Sequence, residues 1–180
     1  MKTKKDITSV YNLYVDELFI YGHYLGFGKE TVKDAIQDVF CKLAADEKVL
    51  SNVSHIKFFL FISLKNRLYD IHKSKKEHIN LDNMEAAMLE MPFNIEVNVE
   101  HILIAEEEQQ QIKKEIQEML NSLTDRQREI IYLRYVQEYD YDQISQLLNI
   151  SVHGCRKLVS KAITSLRVKY GSLILLLLLP

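Results

Sequence analysis

The sequence predicts an all-α protein: two small helical domains joined by a flexible acidic linker, the C-terminal domain a helix-turn-helix. Three observations predict it. The chain of 180 residues is 47% apolar yet holds only five Gly and two Pro, and both prolines lie outside the periodic segments. That favours helices over a turn-rich β fold. Apolar residues recur at helical spacing through most of the chain, which is the mark of amphipathic helices. Near the end, two such helices are separated by a turn of only a few residues.

From Ser9 to Leu25 a broad apolar face is formed by Tyr11, Tyr14, Val15, Leu18, Phe19, Tyr21, Tyr24 and Leu25, and Gly22, Gly26 and Gly28 end or interrupt it. The second helix, Thr31 to Ala45, is cleaner. Val32, Ala35, Ile36, Val39, Phe40 and Leu43 share one side, while Lys33, Asp34, Gln37 and Asp38 share the other. Ser54 can cap a third helix running to about Ser74. Its expected core positions are Ile56, Phe59, Leu60, Ile62, Ser63, Leu68 and Ile71, and it turns basic towards its end. Residues 80–99 lack sustained periodicity and contain Pro92, which reads as a linker. A long helix over about 100–120 follows. Thr124 then restarts the chain as an N-cap, with Gln127 at the capping-box position. The helix from Asp125 to Tyr135 directs Ile130, Ile131, Leu133 and the stem of Arg134 towards the last two helices. The expected division is 1–78, linker 79–99, 100–172 and an apolar tail 173–180.

The last pair carries the most information. Tyr141 to Leu148 forms a short amphipathic helix. After Asn149-Ile150, Ser151 can cap the next helix by accepting from a backbone N–H of its first turn. Val152, Cys155, Leu158, Val159, Ala162 and Leu166 fall on one face. His153, Arg156, Lys157, Ser160, Lys161 and Thr164 fall on the other, and no Asp or Glu occurs after Asp142. A helix that packs one side and offers a basic, acid-free other side suits entry into the major groove of DNA. Ser151, His153, Arg156, Lys157, Ser160 and Lys161 are the candidate contacts. Arg156 is the leading base reader because its fork can engage guanine with two hydrogen bonds. Lys161 and Arg167 lie later and suit phosphate.

Charge is segregated along the chain. Between Asp82 and Glu118 there are ten acids against two Lys, whereas Lys65 to Lys76 carries Lys65, Arg67, Lys73, Lys75 and Lys76 against Asp70 alone. The net charge of −2 conceals this. The acidic middle reads as a self-repelling tether. Two further readings are that it follows a positively charged channel in a partner or masks the basic faces. Cys41 and Cys155 are too few and too far apart for a disulfide framework or zinc site, and each sits among apolar positions as a buried thiol would. The N-terminus shows no signal-peptide pattern, so a cytoplasmic protein is expected. The run Leu173 to Leu179 is too short to span a bilayer. It can pack on the last helix, dock on a partner or fray. His23, His55, His72, His78, His101 and His153 form no metal-ligand spacing, and no Gly-rich phosphate loop or nucleophile elbow is present. No catalytic residue, metal or cofactor is therefore expected, nor a small-molecule substrate.

Four motifs in order resemble a bacterial sigma factor of the extracytoplasmic-function (ECF) group of the sigma-70 family. Asp34-Ala35-Ile36-Gln37-Asp38-Val39-Phe40 is similar to the family's polymerase-binding helix. Phe58-Phe59-Leu60-Phe61 followed by Asn66, Asp70, Lys73, Lys75 and Lys76 resembles its promoter-melting helix. Leu120 to Ile130 looks like the start of its region four, and the helix-turn-helix completes the pattern. Three features depart from it: the family often has Trp where Phe59 stands, it usually has a small hydroxyl residue at Gly154, and the leucine tail lies outside it.

The resemblance implies binding to bacterial core RNA polymerase, recognition of −35 and −10 promoter elements, and an anti-sigma partner. It assigns polymerase binding to Asp34, Gln37, Asp38 and Phe40. On spacing alone the first three form an ordinary solvated face. It assigns the −10 strand to Phe58, Phe59, Phe61 and Asn66, with Lys65, Arg67, Lys73, Lys75 and Lys76 tracking phosphates. At 100° per residue the three Phe rings cannot all face one core, so at least one is expected at the surface. Core packing remains the plain reading for the others. A stand-alone helix-turn-helix regulator that binds duplex operator DNA is the alternative function.

Overall fold

The structure, a computed structural model, describes residues 6–45, 53–75, 91–97 and 106–171. All regular elements among the described residues are helices, with no strand among them. The chain divides into two compact units, one ending at Met91 and one beginning at Pro92.

The first unit is a three-helix arrangement of α1 (Ile7–Tyr24), α2 (Lys29–Ala45) and α3 (Ile56–Lys75), each packed on the other two. Asp6 caps α1, accepting from the Ser9 amide at 3.2 Å. All six apolar positions predicted for α2 are buried. Gly22 does not interrupt α1, which continues to Tyr24. It lies tight against α2 and α3: a Cβ there would stand 2.7 Å from Val32 Cγ1 and 3.3 Å from Leu68 Cδ1. Val32 and Leu68 are both fully buried, and a β-branched side chain has little rotamer freedom to yield. Gly22→Ala gains about 1 kcal/mol of helix propensity but overpacks this crossing by about 1–3 kcal/mol. A net loss of about 1 kcal/mol is expected in urea unfolding. A stabilised variant would mean that Val32 can move aside.

The face that α3 buries differs from the expected one. Ile56, Leu60, Phe61, Leu64, Lys65, Leu68 and Tyr69 are buried, while Phe59, Ile62, Ser63 and Ile71 are only partly covered. Apolar residues surround this helix almost completely, so periodicity leaves its rotation undetermined. Packing on α1 and α2 selects the Phe61 side, where the Phe61 ring lies 5.0 Å from that of Tyr21. The helix starts with the His55 carbonyl accepting from the Phe59 amide, which puts the cap at His55 rather than Ser54. Cys41 is exposed, against the expectation of a buried thiol.

The second unit begins earlier than the sequence suggested. Phe93 is fully buried, with its ring 5.6 Å from that of Tyr132. Gln117 donates to the Ile95 carbonyl at 2.9 Å and accepts from the Val97 amide at 3.3 Å. Residues 92–97 are thus an extended strap on this unit, not part of a tether. The remainder of the proposed linker, 79–90 and 98–99, lies outside the described residues, as do residues 100–105 and the tail 173–180.

Helix α4 (Glu106–Asn121) leads to α5 (Asp125–Ile131), whose start has the predicted capping box: Thr124 accepts from the Gln127 amide and Gln127 accepts from the Thr124 amide. The helix predicted to reach Tyr135 changes character at Tyr132. Tyr132–Val136 is a π-helical turn, closed by the Gln137 amide on the Tyr132 carbonyl at 3.0 Å. Helices α6 (Tyr141–Leu148) and α7 (Val152–Tyr170) follow, and α7 packs on both α5 and α6.

Arg128, buried within α5, ties the unit together. Its guanidinium donates to the carbonyls of Phe93 (2.6 Å), Leu123 (2.7 Å) and Leu120 (3.2 Å), and to the Asp125 carboxylate. Charge-assisted bonds of this kind satisfy a cation that would otherwise be costly to bury.

Candidate nucleic-acid interface

Capping sets the geometry of the helix-turn-helix. Asp140 caps α6, accepting from the Gln143 amide at 2.8 Å, and Gln143 reciprocates at 3.1 Å. Asn149 closes α6 in the left-handed conformation at φ 51°, which a short amide side chain tolerates better than most. Two residues later the Ser151 hydroxyl accepts from the Gly154 amide at 3.0 Å and starts α7, as predicted. Arg126 braces the turn by donating to the Leu148 carbonyl at 2.8 Å.

Helix α7 then separates its two faces as the sequence indicates. Cys155, Val159, Ala162 and Leu166 are buried, with Val152 and Leu158 at the margin. Burial pushes the Cys155 thiol above its ordinary pKa, so it behaves as a small apolar side chain. Ser151, His153, Arg156, Lys157, Ser160 and Lys161 are all exposed on one continuous surface. A Cβ on Gly154 would stand 3.2 Å from Ser151 Oγ, so this position lies tight against the cap.

In the first unit a groove of about 310 Å³ opens between α2 and α3. It is lined by Asp38, Lys42, Phe59, Ser63, Asn66 and Asp70, among others. Arg67 closes one side, holding Asp38 Oδ2 from two guanidinium nitrogens at 2.7 and 2.6 Å. Residues that the sequence assigned to different partners therefore share one site: Asp38 from the polymerase-binding set, and Phe59, Asn66 and Arg67 from the −10 set. Asn66 is exposed and Phe59 half-buried. The mixture of a ring, an amide and charges of both signs suits an object with a flat apolar face and a hydrogen-bonding edge.

Three assigned residues cannot serve as assigned. Phe61 is fully buried against Tyr21 and unavailable for stacking on a base. Lys65 is 2% exposed and cannot follow phosphates. Phe40 is 7% exposed, with its ring 5.0 Å from that of Tyr11, so it shapes α2 from within. Asp34 and Gln37 are exposed beside half-buried Asp38, and Phe58 is half-buried. Lys73 is exposed near the end of α3. Lys75 ends the helix and its side chain, like the whole of Lys76, lies outside the described residues. Sequence reasoning missed Lys42 and Ser63 as groove-lining residues, since Lys42 reads alone as an ordinary helix-surface position and Ser63 was expected in the core.

A basic helix-turn-helix following a separate three-helix unit with its own groove defines a two-domain DNA-binding protein. Residues 113–166 match the family model for sigma-70, region 4. The chain is 23% identical over 166 residues to the ECF RNA polymerase sigma factor SigM of Bacillus subtilis (strain 168), spanning 92% of this chain and 95% of that protein. Its fold is similar to that of the sigma factor RpoE, solved with the anti-sigma factor NepR from Bartonella quintana. The TM-score is 0.60 at 20% identity, over 91% of this chain and 95% of that one. Over most of its length the chain is thus similar to sigma factors of the ECF group, and residues 113–166 match region 4 of the sigma-70 family. Among the described residues, no helix is long and apolar enough to cross a membrane.

Proposed function

We propose that this sigma factor divides promoter recognition between its two units. The α7 face of His153, Arg156, Lys157, Ser160 and Lys161 reads the −35 element as duplex. The α2–α3 groove, with Phe59 and Asn66 at its opening, takes an unstacked base of the −10 strand once the duplex is opened. Phe58 and Lys73 flank that strand. Asp34 and Gln37, with Asp38 behind them, offer core polymerase an acidic and polar face that suits a basic coiled coil. The observation that carries this reading is the acid-free, fully exposed face of α7, because a chain of net charge −2 has little other reason to segregate its cations there.

An anti-sigma factor is the second partner, inferred from the complex in which the related fold was solved. Both exposed faces are surfaces such a partner would cover. The chain works where core polymerase is, in the cytoplasm.

Run-off transcription from a promoter library, with core polymerase in the presence and absence of this protein, tests the division of labour. Promoter-specific transcripts are expected only on addition. Duplex operator binding by the protein alone, without initiation by core, would favour the stand-alone regulator.

A further inference from the structure

Helix α6 begins with Tyr141, a half-buried residue that capping logic does not require to be aromatic. Two guanidiniums lie over its ring: Arg134 at 5.0 Å from the centroid and Arg156 at 5.6 Å. Arg134 is itself anchored, donating to the Tyr139 carbonyl at 2.9 Å, while the Tyr139 amide bonds the Leu133 carbonyl at 3.0 Å. The ring stands on a rigid base, since Asp140 and Gln143 close the capping box around its own helix turn. Arg156 is otherwise a long side chain on an exposed helix face, with many rotamers to lose on meeting a base. An aromatic face attracts a guanidinium by its quadrupole and restricts it to a plane.

We infer that Tyr141 is the positioning residue that sets the base specificity of Arg156, holding the guanidinium ready for two hydrogen bonds to one base of the −35 element. The inference rests on the reading of Arg156 as a −35 reader. Tyr141 need not touch DNA to act. It confines the fork before binding, so the correct base gains more than a wrong one. Arg134 shares the ring and ties its position to the π-helical turn before α6.

The test uses the full chain assembled with core polymerase, measuring affinity for the promoter found by run-off transcription and for each single substitution in its −35 element. Four proteins are compared: the natural chain, Tyr141→Leu, Tyr141→Phe and Arg156→Ala. Tyr141→Leu is expected to lower discrimination about fivefold at one base pair, the same pair at which Arg156→Ala loses it. Tyr141→Phe, which keeps the ring, is expected to retain it. Adding Tyr141→Leu to Arg156→Ala is expected to change nothing further. A uniform loss over all −35 sequences, or additive losses in the double variant, would make Tyr141 merely structural and overturn the inference. If Arg156→Ala alters no base preference while Tyr141→Leu does, the reading of Arg156 is what fails, and the inference falls with it. Unchanged circular dichroism melting in each variant separates these outcomes from misfolding.

Discussion

Arg128→Met is expected to unfold the second unit selectively, lowering its stability by about 3–5 kcal/mol. Methionine fills similar length but donates nothing. The carbonyls of Phe93 and Leu123 then lose donors at 2.6 and 2.7 Å, and the Asp125 carboxylate loses its cation. Each buried carbonyl left without a donor costs about 1–3 kcal/mol. The loss also frees the strap of residues 92–97, which Arg128 pins through the Phe93 carbonyl. Thermal unfolding of the full chain, followed by hydrogen exchange in each unit, gives the measurement. The midpoint of the second unit should fall by at least about 12 °C, at roughly 4–8 °C per kcal/mol for a domain of this size. The first unit should be unmoved. Arg128→Lys should recover only part of the loss, because a point cation cannot span three carbonyls and a carboxylate. A midpoint within a degree or two of the natural chain would show that the network adds nothing net.

Asn66→Asp is expected to lower promoter opening about 10- to 100-fold while leaving polymerase affinity and −35 binding intact. The amide offers a donor and an acceptor from one position, and a carboxylate offers acceptors only. Losing such a contact with a base is worth about 1–3 kcal/mol, and each 1.4 kcal/mol is tenfold. The new charge also joins Asp38 and Asp70 on the groove wall and faces an approaching phosphate chain. Permanganate reactivity of the −10 thymines measures opening directly. A template already mismatched over that region separates melting from recognition. Asn66→Asp should remain defective on it if the side chain reads a base, and should be rescued if it acts only in opening the duplex. Natural levels of opening on ordinary duplex would remove Asn66 from the site.

Much of this was legible in the residues, and the reason differs from helix to helix. In α2 the polar and apolar residues alternate so cleanly that one rotation alone buries Val32, Ala35, Ile36, Val39, Phe40 and Leu43. In α7 the basic side and the Cys155–Leu166 side are equally distinct. Capping residues marked the starts of α5 and α7 because a short polar side chain three residues before a backbone N–H satisfies it locally. None of these features depends on a distant part of the chain.

What the sequence by itself determined is therefore the all-helical class, the order of helices and the segregation of charge. Only the tertiary structure decided which face of α3 turns inward, since apolar residues surround that helix. That choice buries Phe61 and Lys65 and leaves Phe59 and Asn66 at the groove. It also decided that a mid-helix arginine, which reads as a surface residue, would be buried. The carbonyl that most closely satisfies Arg128 lies 35 positions away, in a segment with no periodicity of its own. The same holds for the ring of Tyr141 beneath Arg156. Local patterns follow from short-range sterics and hydrogen bonding, whereas burial of a charge or choice among equivalent faces depends on partners that only folding brings together.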